Sequence, residues 1–209
     1  MKKILITGAG SYIGTSFENY INTNFPDEYT VDTVDMIGGG WKEKDFSPYD
    51  AVFHVAGIAH QKENEKNEHL YYEVNRDLAI ETAKKSIEDG VKQFVFLSSM
   101  SVYGLNEGVI TKDTTPYPKN NYGKSKLQAE ELLKELTKNK IRLVILRPPM
   151  VYGENCRGNY QALRKIALKF PFFPKVKNMR SMIYIENLCE FVRILIKNEE
   201  IGTFFPQNK

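Results

Sequence analysis

Close to its start the chain runs Ile4-Leu5-Ile6-Thr7-Gly8-Ala9-Gly10-Ser11-Tyr12-Ile13-Gly14, an apolar run that breaks into glycines and resumes with helical periodicity. Few folds accommodate such a segment, because each glycine answers a different need of one geometry. Gly8 permits a tight turn, Gly10 lets the backbone approach a pyrophosphate, and Gly14 allows a helix to pack closely on a strand. Amides exposed at the start of the following helix then face phosphate, helped by the helix dipole. Three glycines alone recur by chance, and a ligand-free turn is the competing interpretation. The strand before the loop and the amphipathic helix after it favour a dinucleotide-binding loop made of Gly8, Gly10, Ser11, Tyr12, Ile13 and Gly14.

The rhythm continues along the chain. Short runs rich in Val, Ile and Phe predict strands at 3–7, 30–34, 51–55, 93–98 and 142–146. They alternate with helix-period segments, the pattern of an α/β fold whose parallel sheet is covered on both faces. The first helix starts near Ser11, puts Ile13, Phe17, Tyr20 and Ile21 at core spacing, and ends before Pro26. A second spans about 73–89 and stops at Gly90, and a third about 121–138. Beyond Arg147 the texture changes: Pro148-Pro149, Gly153, Gly158 and the stretch 171–174 interrupt the pattern. Two more helices are expected there, one with Leu163, Ile166, Ala167 and Phe170 on a face, the other with Leu188, Phe191, Val192, Leu195 and Ile196. The expected division is a nucleotide-binding domain over 1–155 and a small partial lobe over 156–209, with 147–153 bordering both.

Composition narrows the function classes. A chain of 209 residues can bury a full core. Its formal charge is +3, with cations spread along the sequence, which gives no case for nucleic acid. Cys156 and Cys189 stand far apart and read as reduced thiols. His54, His60 and His69 lack ligand spacing, so no metal is expected. No leader precedes the first strand and no apolar stretch approaches the ~20 residues that span a bilayer. A cytoplasmic protein without membrane contact is the expectation. The charged run 62–68 reads as a solvated loop or helix start.

Asp35 closes the second predicted strand, where an acid can hold the adenosine ribose hydroxyls. A carboxylate there repels a 2′-phosphate and no Arg follows closely, which favours NAD over NADP. Asp32 is the alternative acid, although strand alternation makes it a mid-strand residue. Tyr122 and Lys126 are four apart and share a helix face that continues through Ala129, Leu133 and Leu136, so the face points inward. An inward Lys needs a partner. Ribose hydroxyls of a nicotinamide cofactor supply one, and the ammonium would lower the Tyr122 pKa from its usual ~10. The tyrosinate could then exchange a proton with a sugar hydroxyl. Ser99 stands at the C-terminal end of the fourth predicted strand, where open parallel sheets bind ligands, and its hydroxyl can bond the reacting oxygen. A helix that merely carries Tyr and Lys is the alternative to this reading.

Taken together, these residues resemble the extended short-chain dehydrogenase/reductase family, in its NAD-dependent nucleotide-sugar epimerase/dehydratase branch. The resemblance runs through Thr7 to Gly14, Phe53-His54-Val55-Ala56-Gly57, Asn75, Leu97-Ser98-Ser99-Met100-Ser101-Val102-Tyr103-Gly104, Tyr122 to Lys126, Leu146-Arg147-Pro148, Val151-Tyr152-Gly153, and the segment from Arg180 to Leu188. It implies a Rossmann-type doubly wound sheet. It makes Tyr122 the general base and acid, Lys126 its tuner and ribose anchor, and Ser99, with Ser101, the partner of the substrate. Asp45 and Phe46 would flank the adenine, Val55, Ala56, Gly57 and Asn75 would line the cofactor, and Pro148 would sit by the nicotinamide. Arg180 would meet the diphosphate of a nucleotide-diphosphate sugar, a task suited to a fixed charged fork. A homodimer through the helices holding Asn75 and Lys126 is also implied.

The implied reaction inverts C4 of a nucleotide-linked hexose through a transient 4-keto sugar. Four departures bear on it. Ser11 stands where relatives often have Gly, and Met150 replaces an Asn that would reach substrate. Met100 and Ser101 occupy the places of the Asp-Glu pair that dehydratases carry, which disfavours dehydration. The chain also stops soon after Phe204-Phe205-Pro206, short of the relatives' full sugar-binding lobe. The alternatives are an NAD(P)-dependent reductase or dehydrogenase on a nucleotide sugar or small carbonyl, and a non-catalytic dinucleotide-binding protein.

Overall fold

In β1 (Lys2–Thr7), β3 (Ala51–His54), β4 (Gln93–Leu97) and β5 (Arg142–Leu146), successive side chains enter two different cores. Ile4, Ile6, Phe53, Val95, Leu97, Val144 and Leu146 point to one face, and Leu5, Val52, Phe94, Phe96, Leu143 and Ile145 to the other. Strands apolar on both sides need cover on both sides, and the intervening helices provide it. The computed structural model describes residues 1–59, 63–64, 67–105, 107–111, 113–156, 159–169 and 179–208.

On the first face lie α1 (Tyr12–Asn24) and α6 (Ile185–Lys197), through Phe17, Ile21, Leu188, Val192, Leu195 and Ile196. The second face is covered by α3 (Leu78–Glu88) and α4 (Asn121–Thr137), through Ala79, Ala83, Ala129 and Leu133. Each fully buried Leu, Ile or Val contributes about 1.5–3 kcal/mol relative to exposure. Among the described residues the main sheet has six parallel strands in the order β2-β1-β3-β4-β5-β8, where β2 is Tyr29–Val34 and β8 is Gly202–Phe204. From β1 the chain moves outward to β2 and then back past β1 to β3. The order therefore reverses beside β1, and a crevice opens at the C-terminal ends of β1 and β3.

The predicted second helix differs in detail. It begins earlier, as α2 (Glu68–Tyr72), and passes through a π-helical turn at Glu73–Asp77 before α3. The stretch 156–209 supplies α6 and β8 to the main layers, while β6 (Met150–Tyr152) and β7 (Met182–Tyr184) form a separate parallel pair. The amphipathic α6 goes to the sheet because its apolar face matches α1. In α5 (Asn159–Lys169) the expected apolar face is not core: Leu163 and Ile166 are exposed, since no described element covers them. His60, Lys62, Gly158, Phe170 and 171–174 lie outside the described residues. No described helix is long and apolar enough to cross a membrane.

Candidate active site

The glycine loop sits at the mouth of the crevice. Gly8 has φ +118°, and a Cβ there would stand 2.8 Å from the Ala56 amide nitrogen, so both conformation and space demand glycine. Ser11 caps α1, its Oγ accepting from the Gly14 amide at 3.2 Å. The first-turn amides of Tyr12 and Ile13 have no acceptor within the helix. A Cβ on Gly10 would meet nothing within 4 Å, so the loop borders open space beside a helix N-terminus. That arrangement fits a pyrophosphate. The N-terminus of α4 contrasts with it, because its amides are already taken. Asn120 Oδ1 accepts from Gly123 at 2.8 Å, and the Glu63 carboxylate accepts from Asn121 and Tyr122, both at 3.1 Å.

Not every residue expected at the cofactor faces the crevice with its side chain. Asp35 follows β2 and is exposed, its Oδ1 accepting from the Ile37 amide at 3.0 Å. Asp32 instead accepts from the Tyr49 hydroxyl at 2.7 Å, as a mid-strand residue. Asp45 is exposed and bonded to Ser47, whose amide and hydroxyl lower its pKa. Phe46 departs from expectation. Its ring is fully buried against Trp41, its amide donates to Asp89 at 2.8 Å, and its carbonyl accepts from Tyr49. A ring that buries a large apolar area goes to the core rather than to an adenine. The Tyr12 phenol also turns away, toward Gly153, and burial pushes its pKa up to about 12.

Ser99, Tyr122 and Lys126 converge at the ends of β3 and β4. Ser99 follows β4 and caps the turn Met100–Tyr103, its Oγ accepting from the Ser101 amide and donating to Ser101 Oγ, both at 3.1 Å. Gly123 lets α4 lie against this turn: a Cβ there would be 2.6 Å from the Ser101 carbonyl oxygen. Tyr122 is thereby set beside Ser99, and the Ser99 hydroxyl favours its phenolate. Burial outweighs that contact and raises the Tyr122 pKa, with Tyr71 adding to the rise. The expected lowering by Lys126 is therefore not what the chain's own residues produce.

Lys126 is buried and donates to the Leu97 carbonyl at 2.8 Å, with its ammonium 4.7 Å from the Phe96 ring centre. Burial lowers its pKa to about 7, opposed by Glu130. A Cβ on Gly57 would lie 2.8 Å from Asn75 Oδ1 and 3.2 Å from Lys126 Nζ, so glycine keeps both polar groups reachable at the crevice wall. Val55 and Ala56 are buried just before it, and Pro148 is buried beyond β5, its carbonyl accepting from Met100. Arg180 precedes β7 and is exposed. An open groove of about 720 Å³ lies at the opposite ends of the strands, lined by Lys134, Lys138, Lys140 and Arg142, far from this chemistry.

The sequence profile of the NAD dependent epimerase/dehydratase family matches residues 4–204, nearly the whole chain. The chain belongs to that family. Within it, the chain is 31% identical over 213 residues to the N-acetyl-alpha-D-glucosaminyl-diphospho-ditrans,octacis-undecaprenol 4-epimerase of Escherichia coli O157:H7, covering 95% of this chain and 64% of that protein. It is 31% identical over 217 residues to the UDP-glucose 4-epimerase of Vibrio cholerae, covering 91% and 65%. This family member thus spans less than two thirds of the length of either relative. The crystal structure of UDP-glucuronic acid 4-epimerase from Bacillus cereus, in complex with NAD, superposes with a TM-score of 0.82 at 25% identity, over 99% of this chain and 79% of that one.

Sequence reasoning missed Glu63, which anchors the start of the Tyr122 helix, and Glu130, which neighbours Lys126 on the inward face. The second had a signal: an inward Lys that needed a partner had an acid one turn further on.

Proposed function

We propose that this family member binds NAD and interconverts the C4 epimers of a nucleotide-diphosphate sugar. The observation that carries the reading is the convergence of Ser99, Tyr122 and Lys126 at the end of β4, beside Gly57 and Asn75 and across from the open glycine loop. The likeness to relatives named as 4-epimerases supports it.

The loop of Gly8, Gly10 and Ser11, with the Tyr12 and Ile13 amides, would hold the diphosphate of the cofactor, Asp35 a ribose of its adenosine half, and Lys126 the ribose of the other. NAD, when bound, supplies a reversible hydride acceptor. Tyr122 takes the proton from the sugar C4 hydroxyl and returns it to that oxygen once the carbon has been inverted, and Ser99, held by Ser101, hydrogen-bonds the same oxygen throughout. Because burial holds the Tyr122 phenol protonated in the chain itself, the proton-accepting form depends on positive charge brought next to it. Met100 and Ser101 offer no carboxylate where dehydration would need a proton carrier, which supports epimerisation. Arg180, exposed on the lobe side, is the residue we assign to the sugar's diphosphate. The same reading includes a dimer through the helices holding Asn75 and Lys126, which size measurement in solution tests.

Tyr122→Phe should leave NAD binding intact, as read by calorimetry, while UDP-hexose interconversion followed by NMR falls by at least about a hundredfold. Undiminished turnover in this variant would remove Tyr122 from the chemistry. A second reading, dinucleotide binding without turnover, draws on Met150 and on the exposed apolar face of α5. It expects NAD to be released on mild denaturation and identified by mass spectrometry, with no conversion of any nucleotide sugar supplied.

A further inference from the structure

Glu130 lies one helical turn beyond Lys126 and is fully buried. Its carboxylate accepts from Ser98 Oγ and from the Arg147 guanidinium, with Nε at 3.0 and 3.2 Å from its two oxygens and Nη2 bonded as well. Arg147 in turn donates from Nη1 to the Tyr103 hydroxyl at 2.7 Å and lies over the Tyr103 ring at 5.1 Å. Each partner adjoins a site residue. Ser98 precedes Ser99, Arg147 precedes Pro148, Tyr103 ends the turn that holds Ser101, and Lys126 shares Glu130's helix. One carboxylate thus touches or reaches, through a single partner, every segment that carries the proton-handling group.

We infer that Glu130, acting through its pair with Arg147, is a positioning residue that fixes Ser99, Ser101, Lys126 and Pro148 relative to one another. The inference rests on the reading of Lys126 as the cofactor's anchor. A well-packed apolar pair would hold the fold as well or better, because removing two charges from water is costly. Fold stability is therefore a poor reason for this pair, and the site above it is a better one.

The pair also has an electrical consequence for Lys126. Around its ammonium lie Glu130 from α4, His54 from β3, the Leu97 carbonyl and Phe96 ring from β4 and Asn75 from the π-helical turn, and Tyr122 stands one turn earlier on the same helix. His54 is neutral, its pKa pushed down to about 3 by burial, and Tyr122 is neutral because burial raises its pKa. Arg147 carries a like charge. Among the titratable groups, Glu130 is the one whose charge favours the ammonium over the free amine, in addition to the Leu97 carbonyl and the Phe96 ring.

Two variants test this, Glu130→Gln and the double variant Glu130→Leu with Arg147→Met, which leaves no buried charge unpaired and so carries the test if the first does not fold. The titration of Lys126 is read by NMR of isotopically labelled lysine in cofactor-free protein, and NAD affinity by calorimetry across the neutral range. The expected result for Glu130→Gln is a fall of about one unit in the Lys126 midpoint and a loss of about tenfold in NAD affinity near neutral pH that recovers as pH is lowered. The double variant, which removes charges of both signs, should show the loss of NAD affinity with a smaller shift in midpoint. A folded double variant with the wild-type midpoint and wild-type NAD affinity would overturn the inference. Because the midpoint is measured without NAD, a wild-type protein that fails to bind NAD would sink the cofactor reading alone, and the titration would still decide the role of Glu130.

Discussion

His54 is fully buried, stacked against Phe94 and Phe96 with ring centres 5.7 and 6.1 Å away, and its Nδ1 shares a 2.8 Å hydrogen bond with Thr7 Oγ1. Its Nε2 is buried without a hydrogen-bond partner among the described residues, so a proton there would add an unsolvated charge. Burial, and the Lys126 charge, lower its pKa from 6.5 to about 3. The unfolded chain therefore takes up a proton as pH falls through 6.5, and the folded chain refuses it until about 3. The stability tied to His54 is present above 6.5 and is lost across that window. The slope is about 1.4 kcal/mol per pH unit. His54→Phe, which keeps the stacking, should lose acid stability more slowly than wild type by that slope. Parallel denaturant curves at several acidic pH values check it, and superimposable pH dependences would refute it.

At the scale of elements, the turn Glu73–Asp77 shows how a small irregularity serves the site. A π-helical turn inserts one extra residue and rotates the helix beyond it, and such turns occur often at functional sites. Here it directs Asn75 inward, where Oδ1 accepts from the Ile58 amide at 2.9 Å and Nδ2 donates to the Ile58 carbonyl at 3.1 Å and to Ser125 at 3.3 Å. One amide therefore ties the chain after β3 to the helix of Tyr122 and Lys126. Asn75→Leu should cost about 2–4 kcal/mol by leaving both Ile58 groups without their partner. Urea denaturation measures this, and a loss below about 1 kcal/mol would mean that water replaces the amide. The helix itself was legible from its apolar spacing, but the π-helical turn was not, because a single extra residue barely disturbs that spacing.

For the molecule as a whole, the last described residues close the structure. Phe204 accepts from the Arg147 amide at 3.0 Å as β8 joins β5, and Asn208 reaches the β6–β7 pair. Its Oδ1 accepts from the Tyr184 amide at 3.2 Å and from Asn187 at 2.9 Å, while Nδ2 donates to the Tyr152 hydroxyl at 3.1 Å. The small pair of strands is thus held by a residue outside both of them. Asn208→Ala should lower global stability by only about 0.5–1.5 kcal/mol while making the Tyr184 amide exchange with solvent about tenfold faster or more. Hydrogen exchange resolved by residue checks the contrast. Uniform acceleration across the main sheet would show that the tail supports the whole fold instead.

The five predicted strands, the glycine loop and the Tyr122–Lys126 face were readable from residue order, because periodicity and turn chemistry act over a few neighbouring residues. The partners of those residues were not readable in that way. Whether Phe46 faces adenine or core, whether Lys126 meets an acid or a carbonyl, and whether Tyr122 is pushed up or down in pKa depend on atoms supplied by segments far apart in the chain. Desolvation and pairing are properties of a packed volume, so only the tertiary structure decided them.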